Sequence, residues 1–292
     1  IPFSNQSRVP QTNIPANEKF VEVRSKNAAT GWDSWFTALT PDGRLFCWGD
    51  GVRDYLPPTF QSPLSGVRDF GMENQSLHVI ETDGTYRVYG DRKDWTETPY
   101  PAERFESVTG GCASVFLRDH EGKIRGHGTS YASLRKSVPL QQTGHSFSFV
   151  ISGITSIFIR DNLEVFINAR STEARNVGKL KKMPVHVGTH GDGYLLTMPD
   201  GTLQYWSRQG QASLPFPELT TIRDARSVRS GIGRYCKFAA IQRFDGSWYL
   251  FQANKERTHL SRRPDLEAKI GSALDLAIGS TCVVILAPAS DQ

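Results

Sequence analysis

At 292 residues the chain exceeds the usual length of one domain, yet all-β barrels and propellers of this size form a single domain with a large core. Gly 26 and Pro 16 suit a turn-rich β protein better than a helical one. A net charge of +4 and a pI of about 8.9, with Lys and Arg spread along the chain, exclude the dense basic stripe of a dedicated nucleic-acid binder. The short clusters at Lys179, Lys181, Lys182 and at Arg262, Arg263 read as solvated surface. No run of 18 apolar residues exists, so no membrane span is expected. No leader is visible, although the start at Ile1 leaves room for one already removed. The four cysteines fit neither a disulfide framework nor a zinc motif, and no metal or cofactor is expected.

In chain order, Ile1-Pro2-Phe3-Ser4-Asn5 looks like the end of a strand, with a proline link at Pro10. Residues 35–49, WFTALTPDGRLFCWG, then read as strand, Asp-Gly turn, strand, Trp-Gly. Asp-Gly between alternating apolar runs is a strong hairpin signal, and a two-residue turn there needs positive φ at both positions. The pattern returns as SLHVIETDGTYRVYG at 76–90 and as ASVFLRDHEGKIRGHG at 113–128. A degenerate copy, TSIFIRDNLEVFINA, covers 155–169. GYLLTMPDGTLQYWS at 193–207 and KFAAIQRFDGSWYLFQ at 237–252 complete the six. A short apolar strand precedes each hairpin: 20–23, 67–70, 105–108, 147–150, 185–187 and 225–228, with a seventh at 273–276. Prolines 57, 99, 139, 215 and 264 mark the links, because proline cannot donate to a ladder.

The turn anchors Gly43, Gly84, Gly122, Leu163, Gly201 and Gly246 recur every 38 to 45 residues, the period of a propeller blade. The predicted fold is therefore all-β: one domain over residues 1–292, a seven-bladed propeller with three clear strands per blade and a short or irregular fourth. The last unit, from Ala273, stops after two strands, and residues 1–5 are the expected completing strand. Closure of this kind removes exposed strand edges. The order strand, Gly, strand, Asp-Gly, strand, Trp-Gly resembles the repeat of the regulator-of-chromosome-condensation family, best in 35–49 and fairly in 76–90 and 193–207. The compact blades and proline links also resemble the secreted bacterial β-lactamase inhibitor propeller in architecture. The resemblance implies protein–protein interaction through a propeller face; an exchange wedge is not matched, so nucleotide exchange is not carried over.

On the face where first strands turn into second strands, the candidate binding residues are Trp32, Asp33, Trp35, Glu73, Trp95, His190, Asp192, Arg229, Arg234 and Tyr235. Aromatic and Arg enrichment is the mark of interface hot spots. These loops do not repeat from unit to unit, and the longest precede the second strands of the first and sixth hairpins. One asymmetric site is therefore expected, with no catalytic residue assigned. The histidines lack HExxH spacing, and no nucleophile elbow, P-loop or dinucleotide fingerprint occurs. Cys112, Cys236 and Cys282 read as buried thiols near the axis. The leading expectation is a monomeric binding module that docks one protein partner or single ligand. An enzyme or small-molecule binder with an axial pocket is the second reading, and a lectin the third. The sequons at Asn5 and Asn74 tilt the expected location toward the extracellular side, with the cytoplasm as the alternative.

Overall fold

The computed structural model describes residues 18–27, 34–49, 56, 62–73, 76–90, 100–110, 115–127, 147–152, 155–169, 174–190, 193–230, 238–254, 259–271, 273–278 and 283–286. Their strands form seven antiparallel sheets in chain order. Sheet one holds β1 (Glu22–Asn27), β2 (Ser34–Leu39) and β3 (Leu45–Trp48). Sheet two holds β4 (Val67–Glu73), β5 (Ser76–Glu81) and β6 (Tyr86–Gly90), and sheet three β7 (Ser107–Gly110), β8 (Val115–Arg118) and β9 (Ile124–His127). A fourth strand appears in the next three. Sheet four runs β10 (Phe147–Ser152), β11 (Thr155–Arg160), β12 (Glu164–Ala169) and β13 (Arg175–Lys179). Sheet five runs β14 (His186–His190), β15 (Gly193–Thr197), β16 (Leu203–Ser207) and β17 (Gly210–Ala212). Sheet six runs β18 (Ala225–Ser230), β19 (Phe238–Arg243), β20 (Trp248–Ala253) and β21 (Leu260–Arg262), followed by the helix α1 (Pro264–Ile270). Sheet seven is the pair β22 (Asp275–Ile278) and β23 (Val283–Leu286).

The sheets stand in a ring because every strand that is apolar on both faces must bury both. Side chains alternate along a strand. In β2, Trp35 and Leu39 enter a cluster with Phe70 and Leu77 of sheet two, while Phe36 and Ala38 enter another with Ala277 of sheet seven. The same arrangement recurs around the molecule, with an apolar cluster between each consecutive pair of described sheets. The cluster of Val23, Phe36, Ala38 and Ala277 joins the last sheet to the first, so the ring closes. First strands of sheets two to seven line up side by side, and β22 lies against β1. The architecture is an all-β propeller. The strand expected to complete the last sheet, residues 1–5, lies outside the described residues, as do Cys112, Cys236 and Cys282.

The six hairpins share one turn, and it differs from the expected two-residue type. Gly43 N–H donates to Thr40 C=O at 3.1 Å and Thr40 N–H to Arg44 C=O at 2.9 Å, a three-residue loop. Only the last loop residue takes positive φ: Gly43 at 80°, Gly84 at 86°, Gly122 at 74°, Gly201 at 77°, Gly246 at 85° and Leu163 at 74°. This is a type I turn closed by a left-handed residue, so the preceding Asp keeps an ordinary φ. Its carboxylate instead accepts a backbone N–H two residues on, as Asp83 does from Thr85 at 2.8 Å and Asp200 from Thr202 at 3.0 Å. The Thr85 N–H and hydroxyl hold the Asp83 carboxyl below its ordinary value, and the Thr202 hydroxyl, then its N–H, do the same for Asp200. The turn glycine also touches the next blade. Val67 N–H donates to Gly43 C=O at 2.8 Å, and a Cβ on Gly201 would overlap Arg223 O.

Candidate binding face

At the end of the ring where first strands stop and second strands start, the two are joined by residues 28–33, 74–75, 111–114, 153–154, 191–192, 231–237 and 279–282, which lie outside the described residues. These connections range from two residues to seven, and the two longest belong to sheets one and six, which flank sheet seven. Trp32, Asp33, Trp95, Asp192, Arg234 and Tyr235 lie outside the described residues. The backbone places His190 at this end of the ring, where it pairs with Gly193 across the β14–β15 hairpin.

The three remaining candidates are placed differently from the surface reading. Trp35 is 1% exposed and packs between sheets one and two, because its position in β2 points it at Phe70 and Leu77. Glu73 ends β4 opposite Ser76 and is wholly buried. Burial, then Tyr100 and the Glu73 charge, pushes the nearby Tyr86 phenol well above its ordinary value, and Tyr86 Oη lies 2.7 Å from His78 Nδ1. Arg229 is partly exposed, but its guanidinium is engaged within the ring. Nε donates to Asp275 Oδ1 at 3.1 Å, and Nη1 meets His186 Nε2.

That engagement belongs to a repeated device. Asp275 sits in the first strand of sheet seven and reaches both neighbours, since Oδ2 accepts Val23 N–H of sheet one at 3.2 Å. Asp69 does the same in sheet two. Its Oδ1 accepts Arg24 Nη2 of sheet one at 2.8 Å, and its Oδ2 accepts Val108 N–H of sheet three at 2.7 Å. Burial weighs against the Arg24 charge, but Asp69 and Glu22 outweigh it and hold the guanidinium protonated. Arg24 also lies 4.5 Å from the centre of the Phe70 ring. In sheet five the equivalent place is taken by His186. A neutral imidazole offers one acceptor, and either Arg229 Nη1 on Nε2 or Val228 N–H on Nδ1, at 3.4 Å, takes it. Burial first, and the Arg229 charge second, lower the His186 pKa to about 3. Sequence reading passed over this device, although an Asp inside two otherwise apolar first strands was a signal for it.

Cys47, the free thiol among the described cysteines, is buried, and burial pushes its pKa up to about 12.

No protein-family model matches the chain, and no curated protein does. Solved structures share the fold at low identity. Human WBSCR16 is 11% identical with a TM-score of 0.66, over 95% of this chain and 88% of that one. Prp20p of Saccharomyces cerevisiae, the yeast RCC1, is 10% identical with a TM-score of 0.61, over 86% and 80%. YCF48 from Cyanidioschyzon merolae is 14% identical with a TM-score of 0.52, over 94% of both chains. With its glycine-anchored hairpins and closed ring of sheets, the chain has the fold of the β-propellers of the regulator-of-chromosome-condensation (RCC1) type.

Proposed function

We propose that this chain is a protein-binding module that docks one partner on the face bearing the unequal loops. The observation that carries the reading is the contrast between the two ends of the ring. At one end six hairpins share one turn geometry. At the other, the connections differ in length from two residues to seven, and their sequences repeat no set of residues from unit to unit. Long loops on a rigid scaffold are where recognition usually resides. Prp20p, a structural neighbour, is described with binding to Gsp1p and histones, which supports a protein partner for this fold without naming one for this chain. Trp32 and Tyr235 belong in sequence to the two longest connections and are the residues on which the proposal rests, with Asp33, Trp95, His190, Asp192 and Arg234 as its further candidates.

The test is affinity capture from the native source, comparing the wild type with Trp32→Ala/Tyr235→Ala. Loss of one specific partner, with the melting temperature unchanged, is the expected result. Equal recovery would remove this face. A third bait, Phe244→Ser, controls for the opposite end of the ring, where Val21, Val185, Phe244 and Leu274 are exposed. Loss of the partner with Phe244→Ser alone would move the docking surface there and overturn the assignment.

A further inference from the structure

Among the described residues four large apolar side chains are exposed, and all four stand at the turn end of the ring: Val21, Val185, Phe244 and Leu274. Single exposed apolar residues are ordinary, but these fall on sheets five, six, seven and one, which are consecutive round the closed ring. Three of them occupy one place in the repeat. Val21, Val185 and Leu274 stand just before Glu22, His186 and Asp275, the first residues of β1, β14 and β22. Val21 N–H donates to Leu39 C=O and Val185 N–H to Thr197 C=O, both at 2.8 Å. The other sheets fill that place with polar residues. Glu106 N–H makes the same bond to Arg118 C=O at 2.7 Å, and Arg68, Ser148 and Arg226 are the residues skipped by the register shifts of β4, β10 and β18. An otherwise polar level of the ring thus carries aliphatic side chains in three sheets. Phe244 joins them from the hairpin loop of sheet six, at a loop position that holds Pro41, Thr82, His120, Asp161 and Pro199 in the other five. Its N–H donates to Asp224 C=O at 2.9 Å, two residues before Arg226.

The charge of the same arc is one-sided. Arg68, Arg226, Lys19, Lys181 and Lys182 are exposed and make no ion pair among the described residues. The neighbouring carboxylates are largely spent. Asp224 and Asp245 pair with Arg243 at 2.6 and 3.2 Å, and Glu18 and Asp42 pair with Arg44 at 2.8 Å each. Glu106, the acid at the ring position, pairs with Arg118 at 3.0 Å. Asp200 is left in the turn of sheet five, bonded to Thr202 and outnumbered there by Lys181 and Lys182.

Unpaired cations interleaved with exposed apolar side chains call for an anionic partner that is also apolar. A second copy meeting this end would set cations against cations. A nucleic-acid backbone would satisfy the cations and leave the four apolar side chains in water. A peptide recognised by its apolar anchors needs a groove, whereas these anchors stand on four separate sheets, with Arg226 between Val185 and Leu274 in ring order. A leaflet of acidic lipids meets both needs, because each apolar side chain enters the acyl boundary on its own while the arginines lie at the phosphates. The six shared hairpin turns also make this end even, as a planar partner requires. We propose that the arc from sheet five through seven to sheet two rests on an anionic bilayer surface, with Val21, Val185, Phe244 and Leu274 inserted and Arg68 and Arg226 on lipid phosphates. The loop-bearing docking face then points away from the membrane. The two surfaces lie at opposite ends of the ring, so either proposal can fail alone.

The experiment is cosedimentation of the whole chain with large vesicles of phosphatidylcholine alone or of phosphatidylcholine mixed with phosphatidylserine. Saturable binding to the mixed vesicles, and far weaker binding to phosphatidylcholine, is the expected result. Phe244→Ser/Leu274→Ser and Arg68→Gln/Arg226→Gln should each lower the partition coefficient about tenfold and leave the melting temperature unchanged. Arg175→Gln/Lys179→Gln, which removes two exposed cations of β13 outside the arc, should bind nearly as the wild type does. Absence of binding to the mixed vesicles would overturn the proposal. So would equal binding to both lipids, wild-type binding by either arc variant, or an equal loss in the β13 variant. Binding of soluble polyglutamate instead of vesicles, lost in the same arc variants, would assign the arc to an acidic protein segment and overturn the lipid assignment.

Discussion

His186 shows how a single side chain acquires its properties from the ring around it. Burial and the Arg229 guanidinium lower its pKa to about 3, against 6.5 when unfolded. Above pH 6.5 both states carry the neutral ring, and its contribution to stability is complete. As pH falls from 6.5 toward 3 the unfolded chain takes up a proton that the folded chain refuses, so stability is lost across that window. Linkage allows at most about 2 kcal/mol between pH 6.5 and 5 from this one group. Urea unfolding at those two pH values should show the loss in the wild type and a flatter dependence in His186→Gln; parallel slopes would refute the assignment. Residues of this kind were hard to read from sequence. Trp35 and Glu73 looked like face residues because each adjoins a connecting loop, but position within a strand matters more than proximity to a loop. The inward register of β2 buries Trp35, and Glu73 is buried at the end of β4.

At the scale of elements the sequence was more transparent. Asp-Gly anchors and alternating runs located all six hairpins, and even the degenerate anchor Leu163 takes the left-handed conformation of the glycines it replaces. Outer fourth strands were not placed, because segments such as Gly210–Ala212 and Leu260–Arg262 are three residues long, too short to carry a period. Contacts between elements were invisible for a different reason: Arg24 and Asp69, or Arg229 and Asp275, are 45 and 46 residues apart and meet only through ring geometry. Asp275→Ala removes an acceptor from Val23 N–H and from Arg229 at once, and its carboxylate is nearly buried. It should cost about 3 kcal/mol in urea unfolding, the range for breaking a buried pair. Asp245→Ala, which empties an exposed turn position, should change stability far less. Equal effects would mean that Asp275 contributes no more than a surface charge.

For the whole molecule, the sequence period foretold a ring, and the apolar cluster between sheets seven and one closes it. Sheet seven nevertheless has two described strands, and the proposed contribution of residues 1–5 as its missing strand can be measured directly. Deleting residues 1–8 should lower the melting temperature by about 5 °C or more. An unchanged value would sink the closure model. The candidate face was legible only as a place. Loop lengths identify which side of the ring is irregular, whereas aromatic enrichment on that side overcounted by including Trp35.

The two bridging aspartates have a mechanical consequence. Asp275 ties sheets six, seven and one together, and Asp69 ties one, two and three. They therefore span the seam where sheet seven meets sheet one, the weakest point of any hoop made from a single ribbon. On the far side, sheets four and five are held by the apolar packing of Ile157, Ile159, Val187 and Trp206. A bracelet built this way has a clasp fastened twice: strained by heat or by pulling, it should hold at the fastening.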